Sequence, residues 1–262
     1  MIKNVVLIGS GKLATQLGNH LVKKGVNIRQ VYSRTLENAE RLAEKLNAYA
    51  TDKFADIQTN ADFYIIAVAD AVLLSVIEQM PKVKGVVVHT AGSMSMDLLI
   101  RFNKYGIFYP FQTFSKEREV NFQEIPILLE ANEEGVEYEI KELAQKISGT
   151  VMSCDSNQRQ KIHLAAVFAC NFSNHMYAIA NNILKDSGVS FDVMKPLIKE
   201  TALKTDLLSP EKAQTGPAVR GDKNVIDKHL DMLNGDDELV VLYSKMSRRI
   251  AELNGKVKVE EK

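Results

Sequence analysis

The sequence predicts an α/β fold: a doubly wound, mostly parallel sheet followed by an all-α C-terminal domain. Short apolar runs alternate with helical patterns through the first half of the 262 residues, which is the grammar of βαβ units. A glycine-rich turn separates the first strand from the first helix, where such sheets take their ligands. Beyond Asp155 only helical periodicity remains. The domain boundary is therefore placed to give one domain over residues 1–154 and a helical one over 155–262.

The elements follow in order. Val5, Val6, Leu7 and Ile8 make a β-branched apolar strand, and a helical pattern through Leu17, Leu21 and Val22 follows the turn. Alternation over 28–32 gives a second strand, and 36–46 a helix. A short strand at 48–50 precedes a near-continuous apolar run at 63–68, of the kind buried on both faces of a sheet. Further strands are read at 86–88, 106–109, 125–129 and 150–152, with a helix over about 132–147 between the last two. One long helix is expected over 156–185, ended by Gly188. Helical segments at about 191–205, 223–233 and 236–254 complete the chain, and 256–262 reads as a frayed tail. The one long irregular connection in the helical half carries Pro210, Gly216, Pro217 and Gly221.

Between the first strand and helix stands Gly9-Ser10-Gly11-Lys12-Leu13-Ala14. This is G-x-G-x-x-A in the place a dinucleotide fingerprint requires. Gly9 permits the tight turn, Gly11 lets backbone approach a pyrophosphate, and Ala14 keeps the helix close to the sheet. The free N–H groups and positive end of that helix face the phosphates. The second strand leads into Ser33-Arg34-Thr35, with no acid between residues 28 and 36. An NAD site would place an Asp or Glu here for the ribose 2′-hydroxyl. A guanidinium between two hydroxyls suits a 2′-phosphate instead, so NADP is expected over NAD. Ser33 or Thr35 could alternatively cap the next helix, leaving Arg34 solvated.

Composition narrows the function. Lys plus Arg equals Asp plus Glu, 33 against 33, so no overall field draws the chain to nucleic acid or anionic lipid. No apolar stretch approaches the roughly 18 residues of a membrane span, and the N-terminal run is too short for a signal peptide. Two cysteines, Cys154 and Cys170, give neither metal spacing nor a disulfide framework, which fits a cytoplasmic protein. Cys170 is expected to pack in a core.

Strand ends locate the remaining candidates. Val68, Ala69 and Asp70 follow the fourth strand and would line the cofactor. Thr90, Gly92 and Ser93 follow the fifth, where the nicotinamide end should lie, and Tyr109-Pro110-Phe111-Gln112-Thr113 follows the sixth. Turn formation alone could account for the last two. On the long helix His163, Val167, Cys170, Asn171, Asn174 and His175 share one face of a 3.6-residue helix. There His163 would be the general acid, since a histidine can deliver a proton at neutral pH, and Asn171 would orient a carbonyl or the nicotinamide amide. A core role for His163 is the plain alternative. In the segment 215–222, Thr215 and Arg220 could meet an anionic substrate group, with Asp222 fixing Arg220, capping the next helix, or both. His229 lies on that helix.

These residues carry a resemblance. The chain resembles bacterial Rossmann-like oxidoreductases whose C-terminal half is a helical domain of unknown function, grouped with deazaflavin-dependent NADP oxidoreductases and pyrroline-5-carboxylate reductases. The likeness runs from Gly9-Ser10-Gly11 through 89–93, 109–114, 161–166 with Asn171, to 215–222 and His229. It implies an NADP-binding domain, a second domain like that of 6-phosphogluconate dehydrogenase, and a homodimer. Related β-hydroxyacid dehydrogenases use a lysine four residues before an asparagine. Here that position is Val167, and Lys161 is out of register, so their lysine mechanism does not transfer. The expected function is hydride transfer between NADP and the C=O or C=N bond of a small polar metabolite. The alternative is a non-catalytic NADP sensor.

Overall fold

The computed structural model describes residues 4–115, 118–185 and 187–255, so the expected tail at 256–262 lies outside the described residues. The chain divides into two compact units, Met1–Ser173 and Asn174–Lys262.

Unit 1 is built on eight strands: β1 (Asn4–Ile8), β2 (Asn27–Tyr32), β3 (Tyr49–Thr51), β4 (Phe63–Ile66), β5 (Val86–His89), β6 (Tyr105–Pro110), β7 (Ile127–Ala131) and β8 (Val151–Ser153). They lie in the order β3-β2-β1-β4-β5-β6-β7-β8. All pairs are parallel except β6 with β7. A parallel neighbour needs a crossover, usually a helix. Among its described residues the connection after β6 offers one short 3₁₀ turn, Phe122–Glu124, and β7 returns antiparallel. That turn also explains why β7 starts later than expected, because the Ile125 N–H closes it on the Phe122 carbonyl.

Strand alternation produces two cores. Val5, Leu7, Phe63 and Ile65 point to one face, which α1 (Lys12–Lys23), α2 (Leu36–Leu46) and α4 (Glu134–Gln145) cover through Leu17, Leu42 and Ile140. Val6, Ile8, Tyr64 and Ile66 point to the other, covered by α3 (Asp70–Gln79) through Leu73 and Ile77. The strand order reverses between β1 and β4, so the crevice beyond their carboxyl ends is the favoured ligand position.

The long helix is interrupted. An α-helix, α5 (Ser156–Ala166), starts from an Asp155–Gln158 capping box. It is followed by a π-helical segment, Val167–Phe172, and then by α6 (Ser173–Lys185). A π segment closes i→i+5 bonds, so the 3.6-residue face expected from His163 onward does not run through it. Cys170 lies in this segment and is exposed, not core. The last strand is β8, and among the described residues only helices and turns follow it. The compact unit nevertheless extends to Ser173 because Ser156 and Arg159 of α5 bond back to Glu130 of β7.

Unit 2 continues α6 with α7 (Lys195–Leu203), two single turns α8 (Pro210–Ala213) and α9 (Pro217–Arg220), then α10 (Lys223–Met232) and α11 (Asp237–Leu253). The connection expected to be irregular thus holds two short helices, each opened by a proline at its first turn. Among the described residues of this unit only Ala218 and Ala251 are buried apolar residues, while Leu207 is 87% and Met232 79% exposed.

Candidate functional site

The first βα corner is shaped for a diphosphate. Gly9 sits at φ +122°, and a Cβ there would collide with Ala67, 2.9 Å from its carbonyl carbon. Its N–H donates to the Tyr32 carbonyl at 2.8 Å. Gly11 is the N-cap of α1 and supplies no side-chain cap, and a Cβ on it would meet nothing within 4 Å. The first-turn N–H groups of α1 are therefore open to an anion. Ala14 is buried, and Leu13 packs against the core.

Around this corner opens a cleft of about 710 Å³. Its lining brings together Gly9, Ser10, Gly11, Ser33, Arg34, Thr35, Val68 and Ala69, all marked from sequence. The Ser10 hydroxyl donates to Ser33 at 2.8 Å, joining the glycine turn to the end of β2. Thr35 holds the N-cap position of α2 but makes no side-chain cap bond. Arg34 is exposed and in no ion pair among the described residues. Sequence reasoning missed Asp52 and Phe54 in the same lining, and Phe54 packs on Tyr32 with ring centroids 4.4 Å apart. Their signal was available, since they follow the third strand as Ser33 follows the second. Burial, then the Asp52 charge, raise the Tyr32 phenol, and Arg34 opposes them. The glycine cradle, the open helix end and the volume fit a dinucleotide.

A second cluster lies at the ends of β5 and β6. Ser93 donates to the Asp70 carboxylate, tying the loop after β5 to the start of α3. The Tyr109 hydroxyl and His163 Nδ1 are 3.1 Å apart. Gly92 lies against both, where a Cβ would stand 2.6 Å from Tyr109 Cζ and 2.7 Å from His163 Nδ1. Only glycine fits this junction. Burial raises the Tyr109 phenol, with Asp70 adding to the effect and Arg159 opposing it. The phenol is therefore kept protonated. Asp70, Gly92, Ser93 and His163 are thus gathered within unit 1, together with Tyr109, which sequence reasoning named only as part of a strand end, while the Thr90 hydroxyl donates to the Ile66 carbonyl at 3.4 Å.

Other candidates are placed differently. The Gln112 amide oxygen accepts from the Thr113 N–H of its own turn at 2.9 Å. Asn171 is exposed in the π segment, and its side chain has no hydrogen-bond partner among the described residues. In unit 2, Asp222 caps α10 by accepting from the Val225 N–H at 3.3 Å. Arg220 and Thr215 are exposed. His229 Nδ1 lies 2.7 Å from the Tyr243 hydroxyl.

Two buried groups hold the loop between β5 and α5. His89 is fully buried, with Nε2 3.2 Å from the Ser95 carbonyl and Nδ1 accepting from the Ala91 N–H at 3.2 Å. Burial lowers its pKa to about 4, against the opposing bond to Ser95. The folded protein therefore keeps His89 neutral where the unfolded chain would already be protonated. Its contribution is complete above about pH 6.5 and is lost as pH falls toward 4, reaching about 3 kcal/mol at about 1.4 kcal/mol per unit. Urea titrations at pH 7 and pH 4.5 should show this loss, and it should shrink in His89→Asn. Arg159, also fully buried, pairs with Glu130 and donates to the Met94 carbonyl at 2.6 Å and to Ser156 at 3.0 Å.

Comparison with known proteins places the chain. Residues 4–92 match the family described as NADP oxidoreductase, coenzyme F420-dependent, and residues 125–250 match a domain of unknown function. A solved Bacteroides fragilis protein, provisionally described as an NADP oxidoreductase, is 46% identical with a TM-score of 0.89, covering 96% of this chain and 98% of that one. The reductive aminase of Aspergillus terreus, solved with NADPH and ethyl levulinate, shares the fold at 14% identity and a TM-score of 0.72, over 98% of this chain and 97% of its own. Glutamyl-tRNA reductase of Methanococcus aeolicus is 32% identical over 85 residues, 32% of this chain, and the match spans 22% of that protein's length.

Proposed function

The chain belongs to the NADP oxidoreductase family of the Bacteroides fragilis protein, and from that membership we propose that it passes hydride between NADP and the C=O or C=N bond of a small polar metabolite. The observation that carries this reading is the Tyr109–His163 pair against Gly92. It lies at the carboxyl ends of β5 and β6, on the same end of the parallel sheet as the glycine cradle. The reductive aminase named above acts in the same fold and gives the C=N alternative its place.

NADPH, when bound, supplies the hydride. The residues of this chain must then supply a proton, because hydride addition to carbon leaves the substrate oxygen or nitrogen with an unshared pair. In this mechanism the His163 imidazolium gives its Nε2 proton to that atom. Its Nδ1–H stays on the Tyr109 oxygen, so the ring is left neutral and correctly oriented. Oxidation runs the same transfers backwards. A sensor of NADP occupancy requires no such pair, which favours the catalytic reading.

Two further parts of the reading concern context. Unit 2 buries too little of its own apolar surface to stand alone, which supports a homodimer, measurable by light scattering. Two cysteines without a disulfide support a cytoplasmic setting. No helix among the described residues is long and apolar enough to cross a membrane.

The deciding experiment is a thermal titration with NADPH and NADH followed by NADPH oxidation against carbonyls, and against carbonyl plus amine. Turnover that depends on His163 supports the reading. Stabilisation by NADPH with no turnover on any member returns the assignment to the sensor.

A further inference from the structure

Asp70, the first residue of α3, carries a carboxylate that the nucleotide cleft does not use. Val68, Ala69 and Val72 line that cleft, and Asp70 does not. Its carboxylate instead accepts from the Ser93 hydroxyl, in the loop after β5. Ser93 adjoins Gly92, which lies against Tyr109 and His163. Consecutive Cα atoms are about 3.8 Å apart, so the carboxylate and the imidazole meet neighbouring residues of one loop. That loop is fixed to α5. The Gln160 amide donates to the Ser93 carbonyl at 3.2 Å, Arg159 to the Met94 carbonyl at 2.6 Å, and the Met96 N–H to the Ser156 hydroxyl at 3.4 Å. The charge is therefore held in place before any ligand arrives.

That charge is also unmatched. Asp70 is in no ion pair among the described residues. Two charged side chains act on the Tyr109 phenol, Asp70 and Arg159, and Arg159 is already neutralised by Glu130. At His163 Nδ1 stands the Tyr109 oxygen, not Asp70, so the carboxylate is not taken up by the ring. A lone carboxylate beside a hydride-accepting centre attracts a cationic C=N bond, does little for a neutral C=O and repels an anion.

We infer that Asp70 selects a substrate whose reacting nitrogen is cationic, an iminium, over a neutral carbonyl. This rests on the hydride-transfer reading above and narrows its substrate class from C=O or C=N to the protonated C=N bond. Hydride from NADPH adds to the iminium carbon, and the C=N π pair becomes the lone pair of a neutral amine. That lone pair takes the Nε2 proton of the His163 imidazolium, which leaves an ammonium product and a neutral ring. Asp70 gives up no proton in these transfers. It faces positive nitrogen before and after them, and so acts on the binding of both substrate and product. At the dielectric of a partly exposed site, a carboxylate about 4 Å from a cation is worth about tenfold in affinity.

Calorimetry on the full chain saturated with NADP tests it, with piperidine as the charged probe at pH 7 and tetrahydropyran as its neutral counterpart. Piperidine should bind about tenfold more tightly. Asp70→Asn, which keeps an oxygen for the Ser93 hydroxyl, should abolish that margin, whereas Ser93→Ala, which removes the hydrogen bond but no charge, should retain it. In turnover with NADPH, the ratio of kcat/KM for 2-methyl-1-pyrroline to that for cyclopentanone should fall about tenfold in Asp70→Asn. The inference is overturned if the unaltered chain does not distinguish the two probes. It is equally overturned if Asp70→Asn slows imine and carbonyl alike, which would mean that Asp70 acts through His163. A variant that binds NADP more weakly relative to NADPH, yet keeps the piperidine margin, also overturns it and assigns the charge to the oxidised nicotinamide. Failure of the hydride-transfer reading looks different, since the unaltered chain would then oxidise NADPH with neither imine nor carbonyl.

Discussion

His163→Ala should slow hydride transfer by about a hundredfold to ten-thousandfold, the usual contribution of a positioned general acid, while NADPH affinity stays within about twofold. The separation is expected because His163 meets Tyr109 and Gly92 at the ends of β5 and β6, whereas the cleft lining is drawn from the corners after β1, β2, β3 and β4. Tyr109→Phe should cost less, about tenfold, because it removes the oxygen that orients the ring but not the proton carrier. It should also move the pH profile of kcat, which a purely structural loss would not. Single-turnover oxidation of NADPH, with nucleotide affinity measured separately, reads both effects. Full activity in His163→Ala removes the residue from the mechanism.

Arg159→Ala should be the most destabilising single change in unit 1, by about 3–5 kcal/mol. Arg159 has no exposed surface, and its partner Glu130 is 17% exposed. Truncating the arginine leaves a carboxylate that is shielded from water and still held by the Ser156 N–H at 3.1 Å. It also frees the Met94 carbonyl, and with it the loop that carries Gly92 and Ser93. Arg159 Nε is already without a partner, so the native arrangement is costly in itself. Replacing both partners by apolar residues, as in Arg159→Met with Glu130→Leu, should therefore recover much of the stability. Urea unfolding of the two variants measures this, and equal losses in the single and double variants would show that the pair is not the source.

Legibility in the sequence tracked the distance over which the deciding interactions act. Gly9, Gly11 and Ala14 were readable because a turn conformation and a helix start are settled by neighbours in the chain. Ser33, Arg34 and Thr35 followed from counting strand ends, and Asp52 and Phe54 could have been found in the same way. Tyr109 was not recognised as His163's partner, nor Arg159 as Glu130's, because each pair joins elements tens of residues apart. The long helical pattern was right in extent and wrong in register, since hydrophobic periodicity averages over a single π turn. Cys170, read as core from its apolar neighbours, is exposed in that segment.

By itself the sequence determined the class of fold, the change from sheet to helices after Asp155, and a corner fit for a nucleotide, because periodicity and glycine placement are local properties of the chain. Only the tertiary structure decided the antiparallel return of β7, the meeting of Tyr109 with His163, and the pairing of buried Arg159 with Glu130. Those depend on which elements pack side by side, and packing depends on shape and buried contact that no single segment carries.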